Sequence, residues 1–502
     1  MHKPRLIESI KTIILVVLFL STVLLLYFFW NNPGFKGLGF SKALNSSHFE
    51  STSNGLELVL PEEISVHFGG GLYTVLKQKD DFLWKECLNE FIQLFQKTTV
   101  HLEEISSVKY QEVMNLRSIC YSFAYNIPFS SFCDQYGITK PTPYEQITFM
   151  KSISYSIGSP QSLFIEDEAN GRYYRIAGEY EGLDYFAHII GRSENLNYEP
   201  YYNLGTLVGG RNRTLTPIYI ETGLKKIPYL AQSFNVNEQS IRTFAQLFFG
   251  SSLDFTRRVT ESDGTVIYMY GYGQKVLRLN RDGSVEYKVE PGDNGNHGNP
   301  DLFAALNAAV SFINNHGSWD GGTHIGGFNT HQEKGKDSYL HPYLQQVMAL
   351  EKNRIKGYRF LFGYKEGGKN IYYQKGAAIV AEVFGDQVVY YRRDVVIPDE
   401  SLSHSDNPAG MEREAISIGN ILAENYRIIT EELKKAGYQI EGEEQEILFD
   451  SIVELVRYVD SGYLRKENEL VPVWIMRIGE MYFYFDLYDG NSVKNEGIEE
   501  KV

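Results

Sequence analysis

Residues 237–289, NEQSIRTFAQLFFGSSLDFTRRVTESDGTVIYMYGYGQKVLRLNRDGSVEYKV, carry in one stretch the pattern that decides the fold. Residues 237–249 read as an amphipathic helix, with apolar side chains recurring at helical spacing. Short alternating strands follow around 254–260, 266–272, 275–279 and 285–289. The dipeptides Asp263-Gly264 and Asp282-Gly283 stand where hairpins turn. A helix followed by antiparallel hairpins belongs to the α+β class, not to the parallel βαβ folds.

The same pattern recurs outward from this stretch. Toward the C-terminus come a helix over 301–314, strands over 358–364, 377–384 and 388–395, and a helical stretch over 413–435. Strands over 471–477 and 481–487 follow, closed by Tyr488-Asp489-Gly490. Toward the N-terminus, strands are expected over 56–60, 64–68 and 73–76, with Gly69-Gly70-Gly71 as a turn. Asp80-Asp81 opens a helix whose apolar face holds Phe82, Cys87, Phe91 and Phe95, and further strands cover 119–125, 162–166 and 172–176. The aromatic content, 36 Tyr and 30 Phe, favours sheets. These units predict an N-terminal α+β domain over 56–229, a central one over 230–396 and a C-terminal one over 397–492. Residues 493–502 read as a disordered tail, and 31–55, rich in Gly, Ser and Asn, as a tether.

Residues 12–30 are uncharged and mostly apolar, and His2, Lys3, Arg5 and Lys11 precede them. At about 1.5 Å per residue the run reaches about 28 Å, close to the ~30 Å hydrocarbon core. The cations place residues 1–11 in the cytoplasm, and Tyr27 and Trp30 suit the far interface. The run ends in Tyr27-Phe28-Phe29-Trp30, too bulky for a signal-peptidase site. The expectation is a single-pass protein of the cell membrane, with one uncleaved transmembrane helix and its bulk outside the cytoplasm. Within that helix, Ser21 and Thr22 with Ile14, Val17 and Leu25 form a stripe suited to packing on another helix. The alternative is that the two hydroxyls bond their own helix backbone.

A net charge of −15 makes nucleic acid an unexpected partner, because phosphate binding needs a basic surface. No G-x-S-x-G, P-loop or H-E-x-x-H motif is present, so neither catalytic residues nor a cofactor are expected. His297, His316, His324, His331 and His341 cluster with Asp320, Glu333 and Asp337 in a Gly-rich stretch. Such side chains are the ligand set of a divalent metal, which leaves an anchored metal-dependent envelope enzyme as one reading. No two of these histidines are spaced to share a helix face, and an exposed loop with incidental histidines is the other reading. A third is a binding module for peptides or wall fragments that presents a sheet edge. Cys120 and Cys133 can pair in an oxidising compartment, or serve, like Cys87, as small buried apolar groups.

Several segments resemble the YycH regulatory proteins of low-GC Gram-positive bacteria and the related YycI. Leu58-Val59-Leu60-Pro61 with residues 66–73 (VHFGGGLY) looks like the family's first ectodomain hairpin, and residues 123–132 (FAYNIPFSSF) like its apolar-Pro-apolar-Ser segment. Residues 247–254, 263–268 and 285–287 look like the central helix-plus-hairpin unit. Residues 305–319 (ALNAAVSFINNHGSW) resemble its following helix, and 469–474 (ELVPVW) the late strand shared with YycI. The resemblance implies a three-domain extracytoplasmic portion and no enzymatic activity. It also implies complex formation at the membrane with a YycI-like protein and a WalK-type sensor histidine kinase that controls cell-wall metabolism. The Gly/His stretch has no counterpart in that pattern.

Overall fold

The turn at Gly69-Gly70-Gly71 starts the first sheet. All three glycines take positive φ (92°, 64° and 79°), a region closed to most side chains. β1 (Glu63–Gly69) thereby folds back on β2 (Leu72–Val75). The computed structural model describes residues 55–493, except 77–81, 96–100, 139–145, 179–180, 196–198, 219–223, 231–237, 291–300, 318, 320–340, 353–354, 367, 374–375, 395–396, 399–413, 441–443 and 467–468. The expected transmembrane helix, the tether up to residue 54 and the tail from 494 lie outside these residues. Among the described residues no helix is long and apolar enough to cross a membrane.

The first sheet continues through β3 (His101–Ile105), β4 (Ser118–Pro128), β5 (Phe149–Ser156), β6 (Ser162–Asp167) and β7 (Arg172–Ala177). β8 (Pro200–Asn203) and β9 (Leu215–Pro217) complete it, in the order β3-β7-β6-β5-β4-β1-β2-β8-β9. Along β4 the residues Ile119, Tyr121, Phe123, Tyr125 and Ile127 are buried and those between are half-buried, the alternation of a strand with one covered face. Helix α1 (Phe82–Phe95) covers that face, with Trp84 edge-on to Phe123 at 5.2 Å. α2 (Ser107–Met114) packs by Tyr110, stacked on Tyr173 at 4.5 Å. α3 (Phe129–Gln135) follows β4 directly, and α4 (Asp184–Asn195) stacks Phe186 on Tyr155 at 5.3 Å. α5 (Leu204–Val208) lies between β8 and β9.

The second sheet begins with β10 (Ile227–Leu230), β11 (Arg257–Thr260), β12 (Val266–Tyr270), β13 (Lys275–Leu279) and β14 (Val285–Val289). It goes on through β15 (His341–Lys352), β16 (Ile355–Glu366), β17 (Lys369–Tyr372), β18 (Ile379–Phe384), β19 (Gln387–Arg393) and β20 (Ile397–Pro398). β21 (Val456–Arg465), β22 (Glu469–Ile478) and β23 (Met481–Asp486) close it. The order is β11-β12-β13-β14-β19-β18-β16-β17-β21-β22-β10-β20, with β15 on β16 and β23 on β22. Pairing is antiparallel except where β17 meets β21 in parallel, through Ile371↔Tyr463 and Tyr372↔Leu464. α6 (Glu238–Phe249) and α7 (Leu302–Asn315) cover the central half, Phe248 lying 5.2 Å from Tyr287 and Phe312 5.3 Å from Tyr391. α8 (Ile418–Lys435) and α9 (Gln445–Leu455) cover the C-terminal half with Ile421, Leu422, Ile429, Ile452 and Val453. The first sheet and the central half share one apolar core, whereas the C-terminal half has its own. Residues 49–502 form one compact unit.

The structure bears out the α+β class and the helix-plus-hairpin order, and departs from the sequence reading locally. Residues 55–58 make a 3₁₀ turn, where a strand was expected over 56–60. The Gly55 amide donates to Asn307 Oδ1 on α7 at 3.0 Å, so a tertiary contact sets the local backbone. The strand expected from residue 254 starts at Arg257, because Gly250–Phe255 is also 3₁₀. The late helix starts at Ile418, where Ser417 caps it by accepting from the Asn420 amide at 3.3 Å.

Two ties hold the C-terminal half in place. Asn212, buried beyond α5, donates to the carbonyls of Val453 and Val456 at 2.7 and 2.8 Å. Arg465 pairs with Asp394 while lying over the rings of Tyr229 and Tyr373.

Candidate functional site

The lead-in to β1, Leu60-Pro61-Glu62, runs between the first sheet and the middle of the second. There it borders a cleft of about 80 Å³ lined by Glu62, Trp84, Lys365, Asn370, Tyr458 and Asp460. A smaller space of about 20 Å³, between Leu60, Tyr343, Tyr372 and Tyr482, adjoins it. These side chains converge because β16, β17, β21 and β23 end or cross at this point of the second sheet. The neighbours hold each other: Tyr458 Oη donates to Asp460 Oδ2 at 3.3 Å, and Asn370 Nδ2 donates to Tyr372 Oη at 3.3 Å. The Lys365 ammonium lies 5.0 Å above the Tyr343 ring, a cation–π distance. Beneath, Lys369 Nζ donates to Ser461 Oγ at 2.8 Å in a buried contact.

Water reaches Glu62, but protein crowds its carboxyl. Desolvation pushes it above the ordinary carboxylate range, and Asp460 adds to the rise. Arg477, Lys151 and Lys365 pull the other way. Burial raises Tyr343, Tyr372 and Tyr458 well above the phenol range, so their hydroxyls stay neutral. The site therefore offers two carboxyls, Glu62 with a raised pKa and Asp460 held by Tyr458, among neutral tyrosine hydroxyls and the Lys365 ammonium, a chemistry suited to hydrogen-bonding a small polar group. No short motif marks it, since its residues come from positions 62, 343, 372, 458 and 482.

The residues singled out in the sequence lie elsewhere. Ile14, Val17, Ser21, Thr22 and Leu25 fall outside the described residues, as do His297, His324, His331, Asp320, Glu333 and Asp337. His316 is the half-buried C-cap of α7: its Nδ1 lies 2.8 Å from the Phe312 carbonyl, and its ring stacks on Phe312 at 3.8 Å. Burial lowers its pKa, and Lys275 lowers it further. His341 opens β15. Among the described residues no three metal-ligating side chains gather. No disulfide joins Cys120 and Cys133, and burial pushes the Cys120 thiol up to about 12.

No protein-family model matches this sequence. No curated relative matches it either. In three dimensions the chain is similar to the crystal structure of YycH from Bacillus subtilis, with a TM-score of 0.53 and 12% identity over 87% of this chain and 98% of that one. The fold thus agrees with the resemblance carried by the short sequence segments. At this identity the likeness speaks for the fold.

Proposed function

We propose that this chain is a non-catalytic, membrane-anchored regulator of a WalK-type sensor histidine kinase that controls cell-wall metabolism, acting together with a YycI-like protein. The observation that carries this reading is the fold likeness to YycH, which extends over nearly the whole of both chains. Residues 12–30 supply the anchor, with residues 1–11 in the cytoplasm and the rest outside. Ile14, Val17, Ser21, Thr22 and Leu25 form the stripe that packs on a kinase helix. Such packing alters kinase output only if the regulator binds one signalling state more tightly than the other.

The test is an anchor exchange. In a strain lacking this protein, the full chain is compared with a chain whose residues 1–33 are replaced by an unrelated single-pass anchor, and with residues 1–33 alone. Phosphorylation of the partner response regulator is the readout. The helix-packing mechanism expects the exchanged chain to lose regulation; full regulation by it would refute that mechanism. The tyrosine-walled cleft at Glu62 favours a second reading, a module that takes a polar group of a peptide or wall fragment. Calorimetric titration of the protein with soluble wall fragments, with and without Glu62→Gln, tests it.

A further inference from the structure

The face of the second sheet turned away from α6 and α7 carries a groove of about 460 Å³, within the ~300–1,000 Å³ range of small-ligand sites. Its residues alternate with the core-facing ones. The cross-strand register Val276↔Lys288, Lys288↔Tyr390, Tyr390↔Glu382 and Glu382↔Arg359 lays them in one row. Its floor is apolar, formed by Leu361 and Val380, each less than a tenth exposed, which pack with Ala377, Met348 and Tyr390 in a cluster separate from the main core. Four cations line the groove (Lys288, Lys352, Arg359, Arg392) against two carboxylates (Glu290, Glu382), and a third carboxylate, Glu286, pairs with Lys288 at 2.9 Å opposite Arg392, which leaves a net excess of one positive charge on a chain of net charge −15. Glu382 holds Arg359 at 2.6 Å, and Lys288 lies 5.3 Å above the Tyr390 ring.

One rim of the groove is Gly273, and the residue before it is unusual. Tyr272 is fully exposed and left-handed (φ 56°, ψ 28°), between two glycines that also have positive φ. That backbone costs a tyrosine about 1–2 kcal/mol that a glycine would not incur. Strain of this kind gathers at ligand sites. Here it leaves an aromatic ring bare to solvent one residue from the groove's rim.

We propose that this groove binds an amphipathic anion, with a single hydrocarbon chain on the Leu361–Val380 strip and a carboxylate or phosphate head among Lys288, Lys352 and Arg392. An extended peptide suits the floor less well. β16, β18 and β19 are each hydrogen-bonded to strands on both sides, so their backbones have no ladder to offer it. Peptide groups on the apolar strip would lose their water without replacement, whereas a hydrocarbon chain needs no partner. The proposal is independent of the kinase reading.

The test uses residues 49–502, which hold the whole described core, and follows the fluorescence of the long-chain carboxylate cis-parinaric acid. Dodecyl phosphate, dodecanol and hexaglutamate serve as competitors. Saturable binding displaced by dodecyl phosphate but poorly by dodecanol or hexaglutamate is expected. Comparing the carboxylate with the phosphate head shows which source of chain the site prefers. The exposed double variant Lys288→Glu/Lys352→Glu should bind at least about tenfold more weakly at unchanged Tm. Tyr272→Gly should weaken binding while raising Tm. Non-saturable uptake, equal displacement by dodecanol, stronger displacement by hexaglutamate, or unchanged affinity in the double variant would each overturn the proposal.

Discussion

Two concavities among the described residues, the Glu62 cleft and the groove on the outer sheet face, solve opposite problems. The Glu62 cleft is small and crowded, and it holds a carboxyl that protein neighbours make harder to ionise. The groove on the outer sheet face is several times larger and open to water, with cations that solvent and carboxylate partners stabilise. Its apolar floor is a separate minor cluster, while the cleft sits where two sheets and their helices meet. Charge in the cleft is coupled to how the halves of the molecule pack. Charge on the groove acts on what binds there. Substitutions should therefore affect stability through the cleft and its supports, and ligand affinity through the groove.

The largest expected effect lies in the two ties of the C-terminal half. Asp394→Ala leaves Arg465 without its carboxylate in a half-buried setting over Tyr229 and Tyr373. The cost should be about 3–5 kcal/mol, seen as a lower midpoint in denaturant unfolding. A loss below about 1 kcal/mol would mean that the pair does not hold the sheet together. Asn212→Ala removes the donors to two buried carbonyls and should cost about 1–3 kcal/mol. Its signature should be earlier amide exchange in α9 and β21 than in the first sheet.

Glu62→Gln acts through pH. In the unfolded chain Glu62 titrates near the ordinary 4.5; in the fold its pKa is higher. Between those values the native state holds the extra proton, so the Glu62 contribution to stability falls as pH rises through the window. Thermal melts across pH should show this falling limb in the parent protein and not in Glu62→Gln, which should be the more stable above it. Matching profiles would show that Glu62 is solvated like a surface carboxylate. Smallest of all, Lys288→Glu at the groove should move stability by no more than about 0.5 kcal/mol. A larger drop would mean that the groove wall is structural and that the contrast with the cleft fails.

Much of the architecture was legible in the sequence, because its periodicities are local. Asp263-Gly264 turns β11 into β12 and Asp282-Gly283 turns β13 into β14, as the dipeptides between alternating strands predict. The triple glycine at 69–71 likewise turns β1 into β2. What was hidden depends on distant partners. β15 and β21 fall in stretches where apolar and polar residues alternate weakly, and each is set by the strand it pairs with. The Glu62 cleft is hidden for the same reason, since Glu62 owes its raised pKa first to desolvation by segments distant in sequence and then to Asp460, against the pull of Arg477. His316, one histidine of the Gly-rich stretch, stacks on Phe312 at the end of α7, a contact that no spacing of histidines in the sequence announces.

The parallel contact of β17 with β21 has a mechanical consequence. It joins two ladders of long antiparallel strands through only Ile371↔Tyr463 and Tyr372↔Leu464. Beside this short contact the two ladders are linked by the Arg465–Asp394 pair and by Lys369 on Ser461, and Tyr372 is also a wall of the space beside Glu62. A pull between the two ladders would load this two-pair contact and the side-chain ties beside it before it reached the long antiparallel ladders.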